Sequence, residues 1–331
     1  MGKLRDYVPA LKYNNKIYPD DLAVGNPWAN YWYVDEDNGS DSAYNGVSID
    51  KPVATVPQAI TNAARGDVIY VRTKAMDTGA TDPSSYTDNI VISADKGCLS
   101  IVGVETGRVQ GGLPQMKVGA TTTQALLTVR APGCLIANLG FNGSGATGGG
   151  ILLDDDASTK TAFGTTIVNC HFKNCKGTTA TDSRTGGAIQ WSSAGGAWQS
   201  SVLGCQFYKN VGDIVLLGTS SSSPQDVLIE GNRFNGLATS VDCHLYLAGG
   251  SGMASVTVHD NVFADVLPAL GSGSVTRYVD MTGCTGIFSK NFVGGSYTTT
   301  GFGAAKAAAK IPTTVGIAGN YSDAGLIVRE A

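Results

Sequence analysis

One stretch constrains this chain more than any other, because it shows the same structural unit twice. Val227-Leu228-Ile229-Glu230-Gly231-Asn232-Arg233-Phe234 is followed by Val256-Thr257-Val258-His259-Asp260-Asn261-Val262-Phe263. Each copy reads as a short strand, then Asn-x-aromatic, then a turn. A second apolar run follows each: His244-Leu245-Tyr246-Leu247 and Arg277-Tyr278-Val279-Asp280-Met281. Self-similarity at a period of roughly 29 residues marks a solenoid.

The aromatic recurs at Phe141, Phe172, Phe207, Phe234, Phe263, Phe292 and Tyr321, evenly over the last four. The Asn before it recurs at Asn232, Asn261, Asn291 and Asn320. Second runs fall at Ile151–Leu153, Ala188–Trp191, Ile214–Leu217, Leu245–Leu247 and Leu326–Val328. All are too short for helices and are flanked by Gly, Ser, Thr or Asn. Leucine-rich repeats share the length, but the Leu-x-x-Leu-x-Leu framework is missing. The density of Gly and β-branched residues excludes helical repeats. The expected fold is all-β: a single-stranded, right-handed parallel β-helix of about eight to ten coils. In such a stack equivalent residues lie one above another at ~4.8 Å. The aromatics should then stack inside, and the Asn side chains should form a ladder at a corner.

Three segments follow from this pattern. Residues 1–30 lie outside the repeat and carry Tyr7, Leu11, Tyr13, Ile17, Tyr18, Leu22 and Trp28 among prolines at positions 9, 19 and 27. The prolines forbid one long helix, and the apolar content is too high for a free disordered tail. An extended arm that packs on something else is expected. Residues 31–75 form a lead-in and capping segment, and residues 76–331 the solenoid. In the lead-in, Thr55 is placed to cap a helix bearing Pro57, with Ala59, Ile60, Ala63 and Ala64 as its apolar stripe and Gly66 as its stop. Val68–Val71 reads as the first strand of the solenoid, with the helix covering its open end. Ala304–Lys310 reads as a short exposed helix.

The order Tyr33-Val34-Asp35, Gly39-Ser40-Asp41, Lys51-Pro52, the Thr55 helix and Gly66-Asp67-Val68-Ile69-Tyr70-Val71 resembles the opening of pectate-lyase-like parallel β-helix proteins. Many of those are phage tailspikes and other virion proteins. The resemblance implies a structural virion protein of a tailed bacteriophage. It would be a homotrimer decorating or cementing the head, with the arm residues named above as its contact to the major capsid protein. The other function it implies is a tailspike that binds or cleaves host surface polysaccharide.

Composition restricts the partners. The net charge of −4 offers no basic stripe for nucleic acid. No apolar run approaches the ~20 residues of a membrane span, and Met1–Lys16 lacks the apolar core of a secretory signal. Seven Cys without a Cys-x-x-Cys motif argue against zinc and fit small buried thiols and assembly in a reducing cytoplasm. The resemblance to virion proteins would make that the cytoplasm of a bacterial host, with the mature protein on the outer surface of the virion. No cofactor or metal is expected.

For catalysis, two carboxyls at ~5 to 9.5 Å would be needed for glycoside hydrolysis. The first-strand series places Glu230, His259, Ser289 and Ala318 in register, each two residues before its Asn. No aligned carboxylate pair emerges, so Glu230 and His259 remain as the weak candidates. Asp154–Asp156 and Asp182–Arg184 read as polar turns. Asp35–Asp41 lacks the ligand pattern of a calcium loop and reads as an Asx turn.

Overall fold

The computed structural model describes residues 28–75, 84–104, 112–119, 121–144, 146–154, 162–179, 182–192, 198–217, 224–237, 243–265, 278–295, 309–322 and 325–327. The chain winds as a parallel β-helix with three sheets. Each full coil contributes one strand to each sheet in turn, as in Thr166–Val168, His171–Lys173 and Ile189–Trp191. Among the described residues the first sheet has ten strands, from Tyr31–Val34 to Val315–Ala318, and the second has ten. The third has eight, from Ile90–Ile92 to Ala309–Lys310. The sequence pattern shows two strands per coil. The structure adds a third, because the Asn-x-aromatic segment is itself a strand. The second apolar runs therefore build the third sheet.

The corner between the first and second sheets explains the repeat. A residue in the left-handed region reverses the chain there: Asn138, Asn169, Gly204, Gly231, Asp260, Lys290 and Gly319, with φ between 52° and 65°. Asn, Asp and Gly tolerate this region best. The next residue turns inward, and at the last four corners it is Asn232, Asn261, Asn291 and Asn320. Asn232, Asn261 and Asn291 each donate both backbone N–H and side-chain amide to the Oδ1 of the Asn one coil on, at 2.9–3.0 Å. Below Asn232 the column continues as Cys205 and Cys170, both buried.

Phe141, Phe172, Phe207, Phe234 and Phe263 stack inside, with ring centroids 4.7–5.1 Å apart. The series then breaks. Phe292 pairs with Val262, and Val293 pairs with Phe263. Phe292 and Tyr321 point outward, 44% and 53% exposed. They follow their Asn directly, whereas Phe234 and Phe263 follow theirs by two. On a strand a one-residue offset changes the face. Phe288, from the first sheet, fills the interior beside Phe263 instead, at 6.3 Å.

The N-terminal end is closed as expected, with two differences. Tyr31–Val34 already pairs in parallel with Val68–Val71, so the solenoid starts one layer earlier than the sequence suggests. The helix α1, Val56–Asn62, stands where the third sheet runs out, packing on Ile90–Ile92 and on the first two strands. It buries Val56, Ala59 and Ile60 in the main core. Thr55 Oγ1 accepts from Gln58 N–H at 3.3 Å, and Asp41 in turn holds Thr55. The helix stops at Asn62 rather than Gly66, so Ala64 falls outside it and is exposed. Buried Asp67 ties the two layers together, accepting from Asn30, Trp32 and Ala64. Burial alone would raise its pKa. The donors outweigh that and hold it below the usual carboxylate range.

Two further expectations are corrected at the C-terminal end. Gly325–Ile327 does not form a third-sheet strand. It turns back antiparallel on Asn320–Ser322 and closes the second sheet; Val328 lies outside the described residues. Ala309–Lys310 is a strand, paired with Val279–Asp280, and not the end of a helix. The rest of that proposed helix, residues 304–308, lies outside the described residues. No helix among the described residues is long and apolar enough to cross a membrane.

Candidate functional site

The outer face of the first sheet carries the best-formed polar cluster. Its inner column is Ile69, Ile101, Ile136, Ile167, Val202, Ile229, Val258 and Phe288. Strand alternation sends the neighbouring residue of each layer outward. In that outer column Glu230, His259, Ser289 and Ala318 stand in register, as the sequence predicts.

His259 Nε2 lies 3.5 Å from Glu230 Oε2. Its Nδ1 lies 3.0 Å from Asp260 Oδ2. Asp260 is the left-handed corner residue, φ 54°, and the bend returns its side chain toward the face that His259 occupies. One ligand-type atom from each of the three residues lies within 4.8 Å of the other two. All three side chains reach solvent. The sequence pattern finds Glu230 and His259 but misses Asp260, because it compares residues in register and Asp260 is offset by one. The usable signal is the Asp at the corner position, where other coils place Asn, Gly or Lys.

Chemically, a carboxylate faces each imidazole nitrogen, and a protonated His259 can donate to both. Glu230 and Asp260 each offer a carboxylate oxygen within 4.8 Å of the other, near the ~5 Å separation of a retaining glycosidase. Asp260 is offset by one from the register position, so the two are not an aligned pair. One imidazole nitrogen with two carboxylate oxygens is also a donor set that zinc and similar divalent ions accept.

The other candidates resolve into structural roles. Asp35 makes an Asx turn with Asp37 N–H and binds Asn38 and Arg72. Its burial would raise its pKa, and these partners lower it instead. Asp182 caps the short turn Ser183–Thr185 and chelates Arg184, whose hydrogen bonds lower its pKa. Asp154 pairs with Arg130; residues 155 and 156 lie outside the described residues. Of the arm residues, Tyr7, Leu11, Tyr13, Ile17, Tyr18 and Leu22 lie outside the described residues, and Trp28 is 88% exposed.

A second polar couple escapes sequence reasoning. Asp213 and His244, both fully buried, meet at 2.6 Å between Oδ2 and Nδ1, and Asn210 donates to the other carboxylate oxygen. The two residues belong to neighbouring coils whose loops differ in length, so no fixed spacing flags them. With Phe234 and Phe263 beside the imidazole, the couple is walled into the core. It orders the interior and faces no solvent.

The fold and surface define a parallel β-helix with a solvent-facing Glu-His-Asp cluster. No protein-family model matches the sequence, and no curated protein does. Among solved structures, a GH136 lacto-N-biosidase from Eubacterium ramulus is similar at 12% identity. That alignment covers 88% of this chain and 67% of the other, with a TM-score of 0.40.

Proposed function

We propose that this protein is a structural component of a tailed bacteriophage virion, a trimeric β-helix that decorates or cements the head. The observation that carries the reading is the opening segment. Its Tyr-Val-Asp strand, Gly-Ser-Asp turn, Thr-capped helix and Gly-Asp-x-Ile-x-Val strand form one end-closing unit, and virion β-helix proteins share that order of residues. The major capsid protein is the proposed partner, and the apolar positions Tyr7, Leu11, Tyr13, Ile17, Tyr18, Leu22 and Trp28 are its proposed contacts. Aromatic and aliphatic anchors of this kind dominate interface energies. Mixing purified protein with particles lacking it, then sedimenting, tests this. The full chain should co-sediment, and a chain beginning at Tyr31 should stay folded and remain in the supernatant. Equal binding by both would remove the arm from the account.

A second reading has one observation in its favour, the carboxylate pair Glu230 and Asp260. It makes the protein a tailspike acting on host surface polysaccharide. Release of new reducing ends from that polysaccharide, abolished by Glu230→Gln and by Asp260→Asn, would establish it.

A further inference from the structure

Two independent features of the fold converge on His259. Parallel register sets Glu230 beside it in the outward column of the first sheet, one layer back, at the ~4.8 Å spacing of neighbouring strands. The left-handed corner returns Asp260 to the same face, one residue on. Each imidazole nitrogen therefore has its own carboxylate, and the two contacts differ. Nδ1 and Asp260 Oδ2 form a hydrogen bond at 3.0 Å. Nε2 and Glu230 Oε2 stand 3.5 Å apart, well beyond the ~2.7–2.9 Å of a charge-assisted hydrogen bond.

When Nδ1–H donates to Asp260, the neutral tautomer leaves a lone pair on Nε2, and that lone pair faces the carboxylate oxygen of Glu230. A cation between the two relieves their repulsion. A proton there would draw the atoms to hydrogen-bond length, whereas a metal ion fits the longer contact. Zinc binds imidazole nitrogen and carboxylate oxygen at ~2.0–2.2 Å, so two donors on one tetrahedral ion stand roughly 3.3–3.5 Å apart. Asp260 then holds the ring through Nδ1, as carboxylates commonly do behind a metal-bound histidine. All three side chains reach solvent, so an ion can enter and keep water on its remaining positions. The other two imidazoles of the chain, His171 and His244, are buried. Calcium and magnesium take oxygen ligands, whereas an imidazole with a carboxylate suits zinc and its transition-metal neighbours.

We propose that the outer face of the first sheet binds a zinc-type divalent ion through Glu230 Oε2 and His259 Nε2, with Asp260 as the positioning residue behind the ring. The ion takes up a carboxylate that glycoside cleavage needs free. Zinc occupancy and the carboxylate pair of the polysaccharide reading therefore exclude each other. The site depends on neither the head nor the tail assignment.

Zinc titration by calorimetry tests this, on the full chain carrying Cys98→Ser to remove its exposed thiol. One ion per chain should bind. His259→Ala should abolish binding, and Glu230→Gln and Asp260→Asn should each weaken it at least about tenfold. Cobalt should give a visible d–d band that is lost in His259→Ala, which reports on the imidazole bond itself. Calcium should not displace zinc. Circular dichroism of each variant, unchanged from the parent, confirms that the solenoid is intact. No binding at millimolar zinc, or binding that survives His259→Ala, would overturn the proposal. Displacement by an equal concentration of calcium would overturn it in favour of an ion held by carboxylates alone. Neither particles nor polysaccharide enter the assay, so its failure leaves both functional readings to their own tests.

Discussion

Asn232 donates twice to Asn261 Oδ1, from its backbone N–H at 2.9 Å and from its side-chain amide at 3.0 Å. Asn261 also donates to Ile229 O at 2.9 Å. One side chain thus satisfies three buried groups on the preceding coil. Asn261→Ala should strand at least two of them, and each buried polar group left without a partner costs about 1–3 kcal/mol. Urea denaturation should therefore show a loss of at least about 2 kcal/mol. A change no larger than that of an ordinary surface substitution, within about 0.5 kcal/mol, would mean that the ladder follows from the fold without supporting it.

The aromatic series gives a paired prediction. Phe234 is fully buried in the stack, so Phe234→Ala should cost about 3–5 kcal/mol. Phe292 occupies the same place in the sequence motif but faces outward, so Phe292→Ala should cost under ~1 kcal/mol. Equal losses would contradict the one-residue offset.

That offset marks where the sequence stops being readable. The Asn series gives the first-sheet register of the last four coils correctly, because each of these corner Asn residues is fixed by hydrogen bonds to neighbouring layers. The aromatics are held only by interior volume, which Phe288 or Val293 can fill equally well. A hydrophobic residue near the right place is therefore weak information about which face it occupies. The candidate site divides the same way. Glu230 and His259 stand in register and are legible. Asp260 reaches the cluster through a left-handed bend, and Asp213 meets His244 across loops of unequal length, so neither follows from spacing.

The thiols should separate cleanly. Cys134, Cys170, Cys175, Cys205, Cys243 and Cys284 are buried, and Cys98 is exposed. Burial pushes the Cys134 and Cys175 thiols up to about 12 and that of Cys284 up to about 11. Iodoacetamide at pH 8 should modify one thiol of the native chain, Cys98, and all seven in urea. Several fast thiols in the native state would contradict the packing of the core.

Acid should open the capped end first. Asp67 and Asp35 have folded-state pKa values below the ordinary 3.8. Their contribution to stability is therefore complete above about pH 4 and is lost as pH falls through the lower, folded-state values. The stability difference between the native chain and Asp67→Asn should be constant from pH 5 to 7 and shrink below about pH 4. A difference that grows on acidification would reverse the assignment.

The most direct test of the proposed role as a phage-head protein is cryo-electron microscopy of the particles proposed to carry this chain. Parallel β-helices grouped in threes on the head surface, with density from residues 1–30 running onto the capsid lattice, are the expected result. The same chain found only at the tail tip, with Glu230 and Asp260 lining a groove that holds polysaccharide, would contradict it.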